Sequence, residues 1–218
     1  MTLKDFNTVW PILKRQVNTL RLPWLEGVAS SGKDPFRILI SCILSLRTQD
    51  KVTEDACVRL FNLAHTPEGL SSLSVEQIEK AIYPVGFYRV KAKRIKKISS
   101  EIVTQFDSLV PDAIEKLLEF EGVGRKTANL VVTLGYDKPG ICVDTHVHRI
   151  FNRWGILETR TPIQTEFTLR DVLPERYWKE VNGVIVAFGQ GICRPISPRC
   201  SQCHIRDYCN RVGVVSRS

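Results

Sequence analysis

The chain has 218 residues, 43% of them hydrophobic and 25% charged, values that exclude a disulfide-stapled mini-protein, a disordered segment and a fibrous repeat. Its 31 Lys and Arg against 23 Asp and Glu leave a net charge of +8, which suits a polyanionic partner. No apolar run approaches the roughly 20 residues of a bilayer span, and the first residues carry no signal-peptide apolar stretch, so a cytoplasmic protein with no membrane partner is expected.

Helix punctuation follows along the chain. Thr8 is placed to cap a first helix with Pro11 in its opening turn and Trp10, Leu13 and Val17 on one face. Asp34-Pro35 opens a strongly apolar segment, Phe36 to Leu46, and Thr66-Pro67 and Thr161-Pro162 repeat that start signal. Ser74 to Gln77 and Asp112 to Glu115 have the spacing of capping boxes. From Arg89 to Phe106, Ala92, Ile95, Ile98, Ile102 and Phe106 share one side of a helix; Arg89, Lys93, Arg94, Lys96 and Lys97 spread over the other, with Lys91 off the pattern. Gly86, Gly122, Gly135, Gly155 and Gly191 fall where apolar periodicity stops, as helix C-terminal glycines do. Val131–Leu134 and Ile141–Val143 are β-branched runs without hairpin partners, beside better helical patterns. The chain therefore reads as all-α, with roughly ten helices on short connections.

Residues 112–135 read as helix, tight turn, helix. Gly122 and Gly124, on either side of Val123, let the backbone adopt positive φ and approach another molecule, and the turn's N–H groups with the second helix's N-terminus can hold a phosphate. A plain corner between two helices would use the glycines equally well. Seven cysteines, an odd number in a reducing compartment, speak against a disulfide framework. Cys42, Cys57 and Cys142 stand singly, whereas Cys193, Cys200, Cys203 and Cys209 form C-x6-C-x2-C-x5-C. Four thiolates suit tetrahedral zinc or a [4Fe–4S] cluster; a lone CxxC, in place of two short pairs set well apart, favours iron–sulfur. His146 and His148, two residues apart on a helix, face different sides and are not assigned as ligands.

Taken in order, Glu121-Gly122-Val123-Gly124-Arg125-Lys126-Thr127-Ala128-Asn129, then Val143-Asp144-Thr145-His146, then the four cysteines resemble the endonuclease III family of DNA glycosylases, over about residues 34 to 209. The resemblance implies two all-α domains with the active site in the cleft between them. One is a six-helix barrel domain over 23–137 with the helix-hairpin-helix. The other, discontinuous, joins 1–22 to 138–218 and carries a [4Fe–4S] cluster on Cys193, Cys200, Cys203 and Cys209. It further implies a monomeric base excision repair enzyme, nucleoid-associated if prokaryotic, whose partner is double-stranded DNA containing a damaged base or an abasic site.

Such an enzyme is a bifunctional N-glycosylase and abasic-site lyase that flips out a damaged base, here an oxidised pyrimidine. Lys126 would attack the deoxyribose anomeric carbon, expel the base and form a Schiff base from which β-elimination cleaves the strand 3′ to the lesion. The amine acts when neutral, a form favoured at a helix N-terminus in a partly desolvated cleft. Asp144 would stabilise oxocarbenium-like charge and assist proton transfer while capping the next helix. Gly122, Val123, Gly124 and Arg125 would hold the DNA backbone, joined by Lys93 and Lys96 of the basic helix and by Arg194, Arg199 and Arg206 near the cysteines. Arg47 and Phe87 would fill the hole left by the flipped nucleotide. Two positions depart from the family pattern: Arg47 stands where the familiar bacterial enzymes have glutamine, and Glu121 replaces the common proline before the hairpin. The competing readings are a mismatch-specific glycosylase of the same superfamily, and a non-catalytic helix-hairpin-helix protein in which Lys126 touches phosphate.

Overall fold

The computed structural model describes residues 1–20 and 33–214, and among these all regular structure is helical, with no strand. Val131–Gly135 is a π-helical turn and Ile141–Val143 has no regular structure. The chain divides into two compact units, Met1–Pro23 with Pro139–Ser218, and Trp24–Lys138. The boundary expected at residues 22 and 23 lies outside the described residues.

The Trp24–Lys138 unit is organised by its greasiest helix. In α2 (Pro35–Ser45) every residue from Ile38 to Leu44 is buried, and a helix apolar on all sides has to be surrounded. It packs against α3 (Asp50–Leu63), α6 (Tyr88–Gln105), α8 (Arg125–Leu130) and the π-turn that follows α8. The Asp34 carboxylate starts α2 by accepting the N–H groups of Phe36 and Arg37 at 2.9 and 3.2 Å. Where the π-turn meets that start, a Cβ on Gly135 would stand 3.0 Å from Pro35 Cα, so glycine lets the two backbones touch. Two short helices, α4 (Pro67–Ser72) and α5 (Val75–Ile82), start on Thr66 and on the Ser74–Gln77 capping box, and pack on α6. Removing the Leu39 or Leu44 side chain, both fully buried, should cost about 2–5 kcal/mol.

Two expected starts are corrected. The first helix, α1 (Leu3–Val17), is capped six residues before Thr8, by a capping box between Thr2 and Asp5, which leaves Pro11 in the helix interior. Asp, shorter than the usual Glu or Gln, closes that box. Asp112 caps nothing: its carboxylate meets Lys138 Nζ at 2.5 Å, and α7 (Ile114–Leu117) starts at Ala113 without a side-chain cap. The expected glycine stops also divide. Gly155 ends its helix in the left-handed conformation at φ 73°, whereas Gly191 is the last helical residue and Gly86 lies in a turn.

The other unit gathers α1, α9 (Thr145–Trp154), α10 (Pro162–Val172) and α11 (Trp178–Gly191). Aromatic rings fill its core. Phe6 stacks on Trp10 at 5.1 Å and on Phe151 at 5.8 Å, and Trp154 lies 6.2 Å from Phe188, so α1, α9 and α11 are joined through one hydrophobic cluster. The cysteine segment follows α11 directly, and the fully buried Ile205 ties it to that cluster.

Candidate active site

The hairpin is built from α7, the turn Gly122-Val123-Gly124 and α8. Gly122 alone of the two glycines takes positive φ, at 80°, and a Cβ there would lie 2.9 Å from the Arg94 side chain. Gly124 sits in extended conformation as the N-cap of α8, with nothing within 4 Å of where its Cβ would be. Val123 is buried, and its N–H donates to Phe120 O at 3.1 Å, so it anchors the turn from inside. This corrects its expected place among the groups that face a phosphate. Gly124 brings no side-chain oxygen to the first turn of α8, whose N–H groups lack the partner an Asp or Ser cap would supply.

Lys126 is the second residue of α8 and is exposed. The partial desolvation expected of it is thus not found, whereas Thr127, Ala128 and Asn129, which follow it in the helix, are buried. It lies close enough to the fully buried Cys42 to favour the thiolate there, although burial still pushes that thiol up to about 12.

Glu121 is held by two bases of α6, Lys97 Nζ at 3.0 Å and Arg94 Nε at 3.5 Å. The Lys97 ammonium, and to a lesser degree the Arg94 guanidinium, lower the Glu121 carboxyl below the usual carboxylate range. The negative charge that replaces the family's proline is therefore neutralised within the unit. The rest of the basic helix is not one solvated face. Lys93 is exposed. Lys96 is partly buried and donates to Ser71 O at 3.0 Å and Leu73 O at 2.5 Å, closing the C-terminal end of α4. Its expected phosphate contact gives way to that structural one. Lys91 is buried outright at 4% exposure, among the apolar stripe.

Arg47 and Phe87 occupy two loops of this same unit. Phe87 is 61% exposed, which excludes an ordinary core role, and the Arg47 guanidinium carbon stands 5.8 Å from its ring centroid. Both residues are left-handed, at φ 54° and 59°, a conformation that L side chains adopt at a cost of roughly 1–3 kcal/mol each.

In the other unit, Asp144 caps α9. Its Oδ1 accepts from His146 N at 2.8 Å and Val147 N at 2.9 Å, which leaves Oδ2 outside the cap. His146 Nδ1 meets Arg149 Nη2 at 3.1 Å and His148 Nδ1 meets Thr165 Oγ1 at 2.7 Å, so the two imidazoles turn to different neighbours.

Cys193, Cys200, Cys203 and Cys209 are all free, all partly buried, and all line one cavity beside Arg153 and Trp154. Burial raises the thiols of Cys193, Cys203 and Cys209, Cys203 to about 11. Donors reach the sulfurs: Arg153 Nη1 lies 3.6 Å from Cys193 Sγ, and Arg211 N donates to Cys209 Sγ at 3.3 Å. Among the described residues no three His, Cys, Asp or Glu side chains converge on a point where one metal ion could sit. Four thiols round a shared cavity are a donor set that fits a thiolate-bound metal group. Arg194, Arg199 and Arg206 are exposed around that segment.

Comparison with known proteins adds four findings. The model of the HhH-GPD superfamily base excision DNA repair proteins matches residues 40–175. Endonuclease III of Thermotoga maritima is 48% identical over 176 residues, 81% of this chain and 83% of that protein. Among solved structures, a trapped endonuclease III–DNA covalent intermediate, an estranged-adenine complex, superposes with a TM-score of 0.84 at 27% identity over 97% of both chains. A thermostable thymine-DNA glycosylase superposes nearly as well, with a TM-score of 0.83 over 95% of this chain and 96% of that one, and at 22% identity it shows the shared fold alone.

Proposed function

The chain belongs to the HhH-GPD superfamily of base excision DNA repair proteins and, within it, to the endonuclease III family, and from that premise we propose that Lys126 and Asp144 carry the reaction of a DNA glycosylase that is also an abasic-site lyase. Its partner is DNA, and no helix among the described residues is long and apolar enough to cross a membrane. The observation that carries the residue assignment is the position of Lys126: an exposed primary amine in the first turn of the hairpin's second helix, two residues after Gly124.

The chemistry follows from those groups. With the nucleotide flipped out, at a cost of a few kcal/mol, the Lys126 amine forms a bond to the anomeric carbon as the N-glycosidic bond breaks, and the base leaves with the bonding pair. The amine's proton is lost, the sugar ring opens and an iminium remains. Removal of a proton from C2′ then expels the 3′ phosphate, and hydrolysis of the iminium frees the lysine. Asp144 Oδ2, the oxygen not engaged by the cap, carries the electrostatic and proton-transfer work, while Oδ1 holds the carboxylate in place. Because Lys126 is exposed, the water around its ammonium has to be displaced by the DNA itself, which ties nucleophile activation to substrate engagement.

Gly124 and Arg125 at the start of α8 receive a phosphate of the backbone, Lys93 a second, and Arg47 with Phe87 occupies the gap in the duplex. An oxidised pyrimidine is the proposed target. Cys193, Cys200, Cys203 and Cys209 would hold a [4Fe–4S] cluster, which when bound supplies a rigid cross-link for a segment that displays Arg194, Arg199 and Arg206. Borohydride reduction in the presence of lesion DNA tests the reading. Wild type should give a covalent protein–DNA adduct and Lys126→Ala none; a monofunctional mismatch glycosylase or a non-catalytic DNA-binding protein would give none in either case.

A further inference from the structure

Lys91 is the one buried lysine of the basic helix, and its ammonium does not meet a carboxylate. Nζ donates to Leu44 O at 2.8 Å, Leu46 O at 2.6 Å and Thr48 Oγ1 at 3.2 Å. The first two are carbonyls at the end of α2, which its own last turn leaves without N–H partners. The same Thr48 hydroxyl oxygen accepts Gly86 N at 3.2 Å, and Lys91's own N–H donates to Phe87 O at 3.0 Å. The Lys91 side chain thus grips the loop of Arg47 and, through the Thr48 oxygen it shares with Gly86 N, the loop of Phe87, while its N–H closes the first turn of α6. The loops also touch directly, since a Cβ on Gly86 would stand 2.7 Å from Arg47 O.

We propose that Lys91 is a positioning residue that fastens the Arg47 and Phe87 loops together, so that the two side chains enter the duplex as one stacked wedge. The proposal rests on the reading of Arg47 and Phe87 as the residues that fill the gap. Two adjacent left-handed residues are strained, and strain of that kind persists only where the surroundings over-determine it. The Lys91 ammonium, with three oxygen acceptors and no counter-ion among them, supplies that constraint at the point where the loops meet. Lysine suits the task because a compact ammonium offers three donors in diverging directions, which a planar guanidinium does not.

The test is a double-mutant cycle on the full chain, read by the fluorescence of 2-aminopurine placed opposite a tetrahydrofuran abasic analogue, which reports unstacking without cleavage. Phe87→Ala, Lys91→Met, Thr48→Val and the combinations of Phe87→Ala with each are compared at saturating protein, with single-turnover base excision measured in parallel. Lys91→Met should reduce the fluorescence change nearly as much as Phe87→Ala and slow excision by up to about a hundredfold, the effect of an ångström of misplacement. The pairing of Lys91→Met with Phe87→Ala should be no worse than Phe87→Ala alone. Thr48→Val removes the shared acceptor and should give a smaller loss of the same kind, so it carries the test if Lys91→Met does not fold. Losses that multiply in the double mutants, or a full fluorescence response in both Lys91→Met and Thr48→Val while Phe87→Ala loses it, overturn the fastening role. A full response in Phe87→Ala overturns the wedge reading itself, and the proposal with it.

Discussion

Glu121→Gln probes how the hairpin is charged. In the wild type the carboxylate engages Lys97 and Arg94, two bases that its removal would make available to the phosphate proposed at Gly124 and Arg125. The amide keeps the shape and removes the charge, so each released cation can neutralise a phosphate and expel counterion. Each such contact steepens the dependence of log K on log salt by about 0.9, so two add about 1.8. Across a fourfold rise in salt, from about 50 to 200 mM, that difference amounts to roughly a twelvefold loss specific to the variant. The variant should therefore bind more tightly than wild type at low salt, with the gain fading as salt rises. Thermal stability should hardly change, because exposed pairs of this kind contribute about 0–1 kcal/mol. Fluorescence anisotropy with a labelled duplex containing an abasic analogue, titrated at several salt concentrations, measures the slope directly. Parallel slopes for the two proteins would refute the competition between Glu121 and DNA, and looser binding at every salt would show that Glu121 instead orders the hairpin.

Asp144→Asn should preserve the cap of α9 and hence the fold, while base excision falls steeply and some nicking of a pre-formed abasic site survives; equal loss of both activities in folded protein would contradict the division of roles. Lys96→Ala should lose about 1–3 kcal/mol in urea denaturation, as two carbonyls lose a charged donor, and leave the salt slope of DNA binding unchanged. Lys93→Ala should do the reverse, lowering the slope by about one unit at constant stability, and a double titration of these two variants separates the roles. Burial holds Lys91 at about 8, against 10.5 for a free lysine, so raising the pH through 8 should weaken the 2-aminopurine signal in wild type but not in Lys91→Met. Between about 8 and 10.5 the unfolded chain keeps the proton that the native one has released, so this group's contribution to stability rises over the window in which the wedge loosens. Purified protein should contain iron and sulfide in near-equal amounts, with Cys203→Ser poorly soluble; zinc without iron in anaerobically prepared protein would contradict the cluster.

What the sequence made legible was local. The Asp34, Thr66, Ser74 and Thr161 starts each bond N–H groups two or three residues ahead, so the signal and its partner lie within one turn. The Asp144 cap was readable for the same reason. What escaped depends on partners far along the chain. Asp112 is drawn from its cap by Lys138, 26 residues away, and Lys96 is drawn from solvent by carbonyls 23 and 25 residues back. Nothing within either helix announces those contacts. Lys91 is a different case, because it stands four, seven and eleven residues before Ile95, Ile98 and Ile102, in register with the buried stripe. Its placement was visible in the periodicity, and only its charge argued against reading it there.

That conflict between a lysine and an apolar stripe has the same cause as the two conflicts nearby. Arg47 and Phe87 are not glycines, yet both take positive φ; Lys91 is a cation, yet it is buried without a carboxylate. Each would be a defect in a protein selected for stability alone, and the three lie together in one corner of the Trp24–Lys138 unit. The left-handed turns bring an exposed cation and an exposed ring to 5.8 Å, and the buried ammonium holds the carbonyls at the end of α2, next to Arg47. Relieving the left-handed strain at Arg47 or Phe87 with a glycine should therefore raise stability and lower activity together. A buried methionine at 91 removes the charge, but it takes the ammonium from Leu44 O, Leu46 O and Thr48 Oγ1 and leaves two strained loops without a reason to stay strained.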